Sequence, residues 1–167
     1  MLNLISPLAM RFVESKDQTF LDVLYRDSRA DLLEMPLPPA VLQQMIAMQQ
    51  MSQAMGIRAT YPNAQTWLVL WDGEAVGRLV LETGESAIRL IDIAVMSNWR
   101  GKGIATQVIR GLQDYAALAD RSISLAVQCS NLCARHLYQG AGFILRSSDT
   151  LFDQMDWCPA YTSSSLQ

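Results

Sequence analysis

The sequence predicts one mixed α/β domain, a mostly antiparallel central sheet flanked by helices, on three observations. The chain has 167 residues, 50% of them hydrophobic and 17% charged, enough to bury about 70% of the surface its unfolded form exposes. Three strand-like segments between Gln65 and Val95 are separated only by turn residues, the pattern of an antiparallel meander. A helical repeat from Ile104 to about Leu118 then lies between two strand-like segments, as in a β-α-β crossover.

Taken in order, Leu8 to Val13 reads as a first strand. The polar stretch Glu14 to Thr19 starts a helix through Phe20, Leu21, Val23 and Leu24, with Asp17 or Thr19 as its cap. Pro36-Leu-Pro-Pro39 breaks the chain before a second helix, about Ala40 to Met55, where Val41, Met45, Met48 and the Leu42/Ile46 pair recur at helical spacing. Its methionines, with Met35, Met51 and Met55, are expected either to pack the helix on the sheet or to wall an apolar substrate pocket. Thr66 to Trp71 and Ala75 to Glu82 flank Asp72-Gly73, a hairpin signal. Thr83-Gly-Glu-Ser86 turns the chain into a third strand, Ala87 to Val95.

Beyond it, Ile104, Val108, Ile109, Leu112 and Ala116 share one side of a helix, and Ile123, Leu125 and Val127 alternate with polar neighbours as a half-buried strand. Asn131 opens a shorter helix ending near Gly140, and Phe143 to Arg146 with Leu151 to Trp157 form a final strand pair. The domain is expected to span residues 1–160, with 161–167 as a flexible tail.

Composition excludes several classes of function. A formal charge of −3 disfavours a nucleic-acid backbone as partner, a transfer-RNA acceptor included, because phosphate binding needs clustered Lys and Arg. No apolar run approaches the roughly 18 residues of a membrane span, and Met1-Leu-Asn-Leu-Ile-Ser-Pro7 lacks the features of a signal peptide, so a cytoplasmic protein without a membrane partner is expected. Cys129, Cys133 and Cys158 form no CxxC pair and His136 is the single histidine, so no metal site is expected.

The most informative segment is Arg100-Gly101-Lys102-Gly103-Ile104-Ala105. A strand that ends there and continues as a helix presents unpaired backbone N–H groups and a positive dipole end, where anions bind. It is not a Walker loop: Met96 stands where the first glycine belongs, and Gly103 follows Lys102 where Ser or Thr is needed. It is a poor dinucleotide fingerprint, since Thr106 replaces the third glycine and the turn follows three antiparallel strands.

Arg100, Gly103 and Ala105 match the Arg/Gln-x-x-Gly-x-Gly/Ala pattern of motif A in the GNAT superfamily of acetyl-CoA-dependent N-acetyltransferases. Asn131-Leu-Cys-Ala134-Arg-His-Leu137-Tyr138, followed by Gly142-Phe143, resembles that family's second signature. The resemblance covers roughly residues 64 to 157. It implies a GNAT-like fold, and acetyl transfer from acetyl-CoA to a primary amine by direct attack in a ternary complex. By the same resemblance, Ile93, Ala94 and Val95 pair with the pantetheine arm, and the N–H groups of Gly101, Lys102, Gly103, Ile104, Ala105 and Thr106 hold the pyrophosphate, with added charge from Arg100 and Lys102. Tyr138 is the candidate acid for the departing thiolate, the Val95 N–H the oxyanion donor, and Asn131 either caps its helix or bonds the pantetheine.

Asp92 and Glu82 are the candidate general bases, although alternation turns Asp92 away from Ile93, and pairing with Arg78 across neighbouring strands is the preferred role for Asp92. His136 is expected at the surface. Asp27, Asp31 and Glu34 are expected near the acceptor entrance, where they would attract a cationic amine, small or peptidic. A homodimer is compatible with this reading. The alternative function is a catalytically idle acyl-CoA-binding or regulatory module on the same fold.

Overall fold

A computed structural model describes residues 4–159; the expected tail at 161–167 lies outside the described residues. The elements run β1 (Leu8–Phe12), α1 (Gln18–Asp27), α2 (Ala30–Leu33), α3 (Pro39–Thr60), β2 (Gln65–Trp71), β3 (Glu74–Thr83), β4 (Ala87–Val95), α4 (Ile104–Leu118), β5 (Ser122–Gln128), α5 (Leu132–Gly140), β6 (Ile144–Ser148) and β7 (Phe152–Trp157). They build one seven-stranded sheet in the order β1-β2-β3-β4-β5-β7-β6. Every neighbouring pair is antiparallel except β4 and β5, the parallel pair that α4 crosses over.

The helix α4 fills the main core. Its Ile104, Val108, Ile109, Leu112 and Ala116 are buried against Leu79, Ile88, Ile123 and Leu125 from the sheet. The helix α5 joins the same cluster through Tyr138, and Gln113 Nε2 of α4 donates to Ala141 O just beyond α5 at 2.7 Å. A second, smaller cluster of Tyr25, Leu32 and Ile46 holds α1, α2 and α3 together.

Three expectations are corrected in this first half. Asp17 holds the N-cap position of α1, but its side chain makes no capping bond there: the buried carboxylate accepts from Arg11 Nη1 and Nη2 at 2.6 and 2.7 Å and from Glu14 N–H at 2.8 Å, tying β1 to the helix entry. The helix α3 runs on to Thr60 and stops where Tyr61 precedes Pro62, a position biased away from helical backbone. Of its methionines only Met45 packs on a core cluster; Met48, Met51 and Met55 are 71%, 66% and 63% exposed, and Met51 and Met55 line a groove against α1. Apolar side chains at helical spacing predicted burial, but α3 touches its neighbours chiefly through Ile46 and Met45.

One local irregularity sets up the site. Val80 on β3 faces Asp92 and Leu81 faces Leu90, so Ile91 is an extra residue that bulges β4. The parallel pairing of β4 with β5 ends at the same point, at Leu90 opposite Leu125. Beyond it the two strands part, and β4 from Ile91 to Val95 has an open edge.

Candidate active site at the parted strands

The direction of the backbone groups on this open edge follows from the ladder with β3. Met96 N–H donates to Val76 O at 2.9 Å, and hydrogen-bonded pairs alternate along an antiparallel ladder. With Gly77 facing Val95 and Arg78 facing Ala94, Asp92 and Ala94 bond to β3, while Ile93 and Val95 turn their backbone groups into the gap. The Val95 carbonyl agrees, because it accepts from Arg100 Nε at 3.0 Å. Gly77 makes this geometry possible: a Cβ there would collide with the Ala94 carbonyl. Sequence reasoning missed Gly77, although an isolated glycine inside a strand is a signal of close backbone approach.

The edge leads into the glycine-rich turn. Gly101 and Gly103 have φ of 76° and 75°, left-handed values that open the turn and make Gly103 the N-cap of α4. The first helical bond is Gln107 N–H to Gly103 O at 3.0 Å, and among the described residues no protein acceptor takes the amides from Gly101 to Thr106. These amides and the positive end of α4 converge on one point, next to the Arg100 side chain. The Lys102 ammonium lies 4.2 Å from the centre of the Trp99 ring.

The turn is braced from the other half of the molecule. Asp27, the last residue of α1, accepts from Ser97 N–H at 2.7 Å and Ser97 Oγ at 2.5 Å, and its Oδ2 lies 3.7 Å from Arg100 Nη2. A carboxylate is unfavourable at a helix C-terminus, and these donors offset that cost. Asp27 is therefore engaged with the turn rather than free to draw in an amine. Asp31 is likewise bound to Arg29, at 2.9 and 2.8 Å.

A cleft of about 830 Å³ opens where β4 and β5 part, between the sheet and α1–α3. Asp92, Ile93, Ala94, Val95, Arg100 and Asn131 all line it, whereas Tyr138 and the turn residues Gly101 to Thr106 are not among its lining residues. Glu82 is not among them: it receives Asn63 N–H at 3.1 Å. Glu34 is also absent from the lining, and His136 is exposed as expected. Arg29 and Tyr25 face the same space and were not singled out, because only the tertiary packing of α1 brings them there.

Asp92 pairs with Arg78, whose Nη2 and Nε lie 2.7 and 3.1 Å from Asp92 Oδ2. Asn131 caps α5, its Oδ1 accepting from Ala134 N–H at 3.1 Å. The α5 helix is anchored by Asp153 on β7, which is 3% exposed and takes Ser148 Oγ at 2.6 Å and Arg135 Nε at 2.8 Å. The Ser148 hydroxyl, with Cys129 and Arg135, holds the Asp153 carboxyl below its usual range. One helical turn beyond Arg135, Tyr138 is buried edge-on to Phe143 with ring centres 5.7 Å apart. Burial, with the charge of Asp92 nearby, pushes its phenol up to about 12. Among the described residues no group of His, Cys, Asp and Glu is arranged to hold a metal ion, and no helix is long and apolar enough to cross a membrane.

A strand parted from its parallel neighbour at a bulge, and leading into an amide-lined helix entry, is matched at the level of sequence by a model of the Acetyltransferase (GNAT) family over residues 28–143. The chain belongs to the GNAT family. An N-acetylaspartate synthetase from Xenopus tropicalis is 32% identical over 85 residues, which is 49% of this chain and 31% of that protein. The rat protein of the same name is 31% identical over 85 residues, 28% of its length, so the chain spans about a third or less of these relatives. The fold is shared with solved GNAT structures. The PaiA N-acetyltransferase of Thermoplasma acidophilum, in complex with coenzyme A, aligns at a TM-score of 0.65 and 13% identity over 90% of this chain and 98% of that one. A spermidine N-acetyltransferase from Vibrio cholerae, in complex with CoA and spermine, aligns at 0.67 and 19% identity over 95% and 99%.

Proposed function

We propose that this GNAT protein transfers an acetyl group from acetyl-CoA to a primary amine by direct attack in a ternary complex. The observation that carries this reading is the continuity of two backbone surfaces, the open edge of β4 and the unpaired amides at the start of α4. An extended amide-bearing arm adds to such an edge as a strand would, and a diphosphate fits the helix entry. Ile93 and Val95 serve the pantetheine, the amides from Gly101 to Thr106 the pyrophosphate, and Arg100 adds charge beside them.

In the reaction the amine nitrogen bonds to the thioester carbonyl carbon, the C–S bond breaks, and CoA leaves as a thiol. The Val95 N–H stabilises the developing oxyanion. Tyr138 donates a hydrogen bond to the departing sulfur. With a phenol pushed up to about 12 against roughly 8.5 for an ordinary thiol, full proton transfer from Tyr138 is uphill. The proton lost by the amine therefore passes to the sulfur, relayed by Asp92 Oδ1 or water, and completes the thiol. Glu82 is assigned to the Asn63 turn instead.

Release of CoA thiol against a panel of amines tests the reading. Turnover on at least one amine is expected; tight acetyl-CoA binding without turnover on any would assign the protein to the idle-module alternative.

A further inference from the structure

The names of the relatives point to acceptors of opposite charge, an amino acid and a polyamine, and the charge balance of the cleft separates the two. A polycation needs carboxylates without partners, and the wall offers few. Both Asp31 oxygens bind Arg29, Asp27 is engaged with Ser97 and Arg100, and Glu34 lies off the cleft. Arg29, Arg78 and Arg100 of the wall are each matched by one carboxylate, of Asp31, Asp92 and Asp27, so the wall holds no carboxylate without a cation beside it.

Arg78 is the group with capacity to spare. Its side chain is 16% exposed, and both of its ion-pair contacts go to one oxygen, Asp92 Oδ2. Nη1 of Arg78 and Oδ1 of Asp92 have no partner among the described residues, and both residues line the cleft. A guanidinium with a free edge fits a carboxylate, and the free carboxylate oxygen beside it accepts from an ammonium or amine. The two vacancies flank a single ion pair, so they match a group that carries both charges on adjoining atoms.

Resting on the acetyl-transfer reading above, we infer that the acceptor is an amino acid, its carboxylate bound by Arg78 Nη1 and its amine held at Asp92 Oδ1. Arg78 is the specificity-determining residue. This arrangement sets the amine on β4, the strand whose open edge turns the backbone groups of Ile93 and Val95 toward the thioester.

The experiment compares free amino acids with their amides, with the corresponding decarboxylated amines, and with spermidine. Binding to the CoA-loaded protein is read by thermal shift, and turnover by thiol release. At least one amino acid is expected to stabilise the CoA complex and to exceed its own amide by about 10-fold or more in kcat/KM, the effect of leaving the free edge of a half-buried guanidinium unfilled. Arg78→Lys, which keeps the charge but loses the planar fork, is expected to shrink that ratio below about 3-fold while the acetyl-CoA shift persists. Amides or spermidine binding as well as the amino acids, or a ratio unchanged in a folded Arg78→Lys protein, would overturn the inference. Selective amino-acid binding without turnover would uphold the carboxylate site and sink acetyl transfer; turnover confined to amines without a carboxylate would do the reverse.

Discussion

The helices α3 and α4 are built from similarly apolar sequences and have opposite fates. Over 22 residues α3 buries Ile46 alone, while α4 buries Ile104, Val108, Ile109, Gly111, Leu112 and Ala116 within 15. The difference separates the two sides of the site. The proposed cofactor side hangs on a helix locked into the core, so its amides are held in place before any ligand arrives. The proposed acceptor side is walled by helices held through a three-residue cluster and a few polar contacts. Among these contacts are Arg29 Nη1 with Gln49 Oε1, and Gln50 Nε2 with Asp22 Oδ1 at 2.8 Å.

That contrast breaks first at the turn before α4. Gly103→Trp forces a large side chain into left-handed backbone beside the free amides, and the stabilisation of the fold by acetyl-CoA should vanish; an undiminished thermal shift in a folded variant would remove the phosphate site. Next in size, Leu112→Ala in α4 should cost about 2–5 kcal/mol in chemical denaturation, whereas Met51→Ala in α3 should stay within about 0.5 kcal/mol. Comparable losses at both positions would mean that α3 is as firmly packed as α4.

Tyr138→Phe should lower kcat by about 100-fold and leave the acetyl-CoA shift intact, since the ring still packs on Phe143. The smallest effect concerns pH. The folded-state phenol of Tyr138 lies above its ordinary value of 10.0, so its stabilising contribution is complete below pH 10 and disappears as the pH climbs through about 12. Asp92→Asn removes one of the two causes and should move the tyrosinate absorbance step to lower pH.

Much of the proposed cofactor side was legible in the sequence, because local rules decide it. An unbroken apolar period beginning after a glycine fixes both ends of α4, at Ile104 and Leu118. The Arg78–Asp92 pair was legible on condition of register, which the β3–β4 ladder supplies. The acceptor side resisted for the opposite reason. Helix α2 spans only Ala30–Leu33, too short for a period to register. The exposure of Met48 and Met51 depends on what α3 fails to meet, and local spacing carries no record of that. The parting of β4 and β5 is a tertiary event marked by one surplus residue, Ile91, indistinguishable in the sequence from its neighbours.

The clasp of Asp27 on Ser97 joins positions 70 residues apart across the two halves. A chimaera that borrows its first 60 residues from a cousin would inherit one jaw of that clasp without the other. Domain-shuffling of this protein must therefore exchange positions 27 and 97 as a couple, or accept a slack turn ahead of α4.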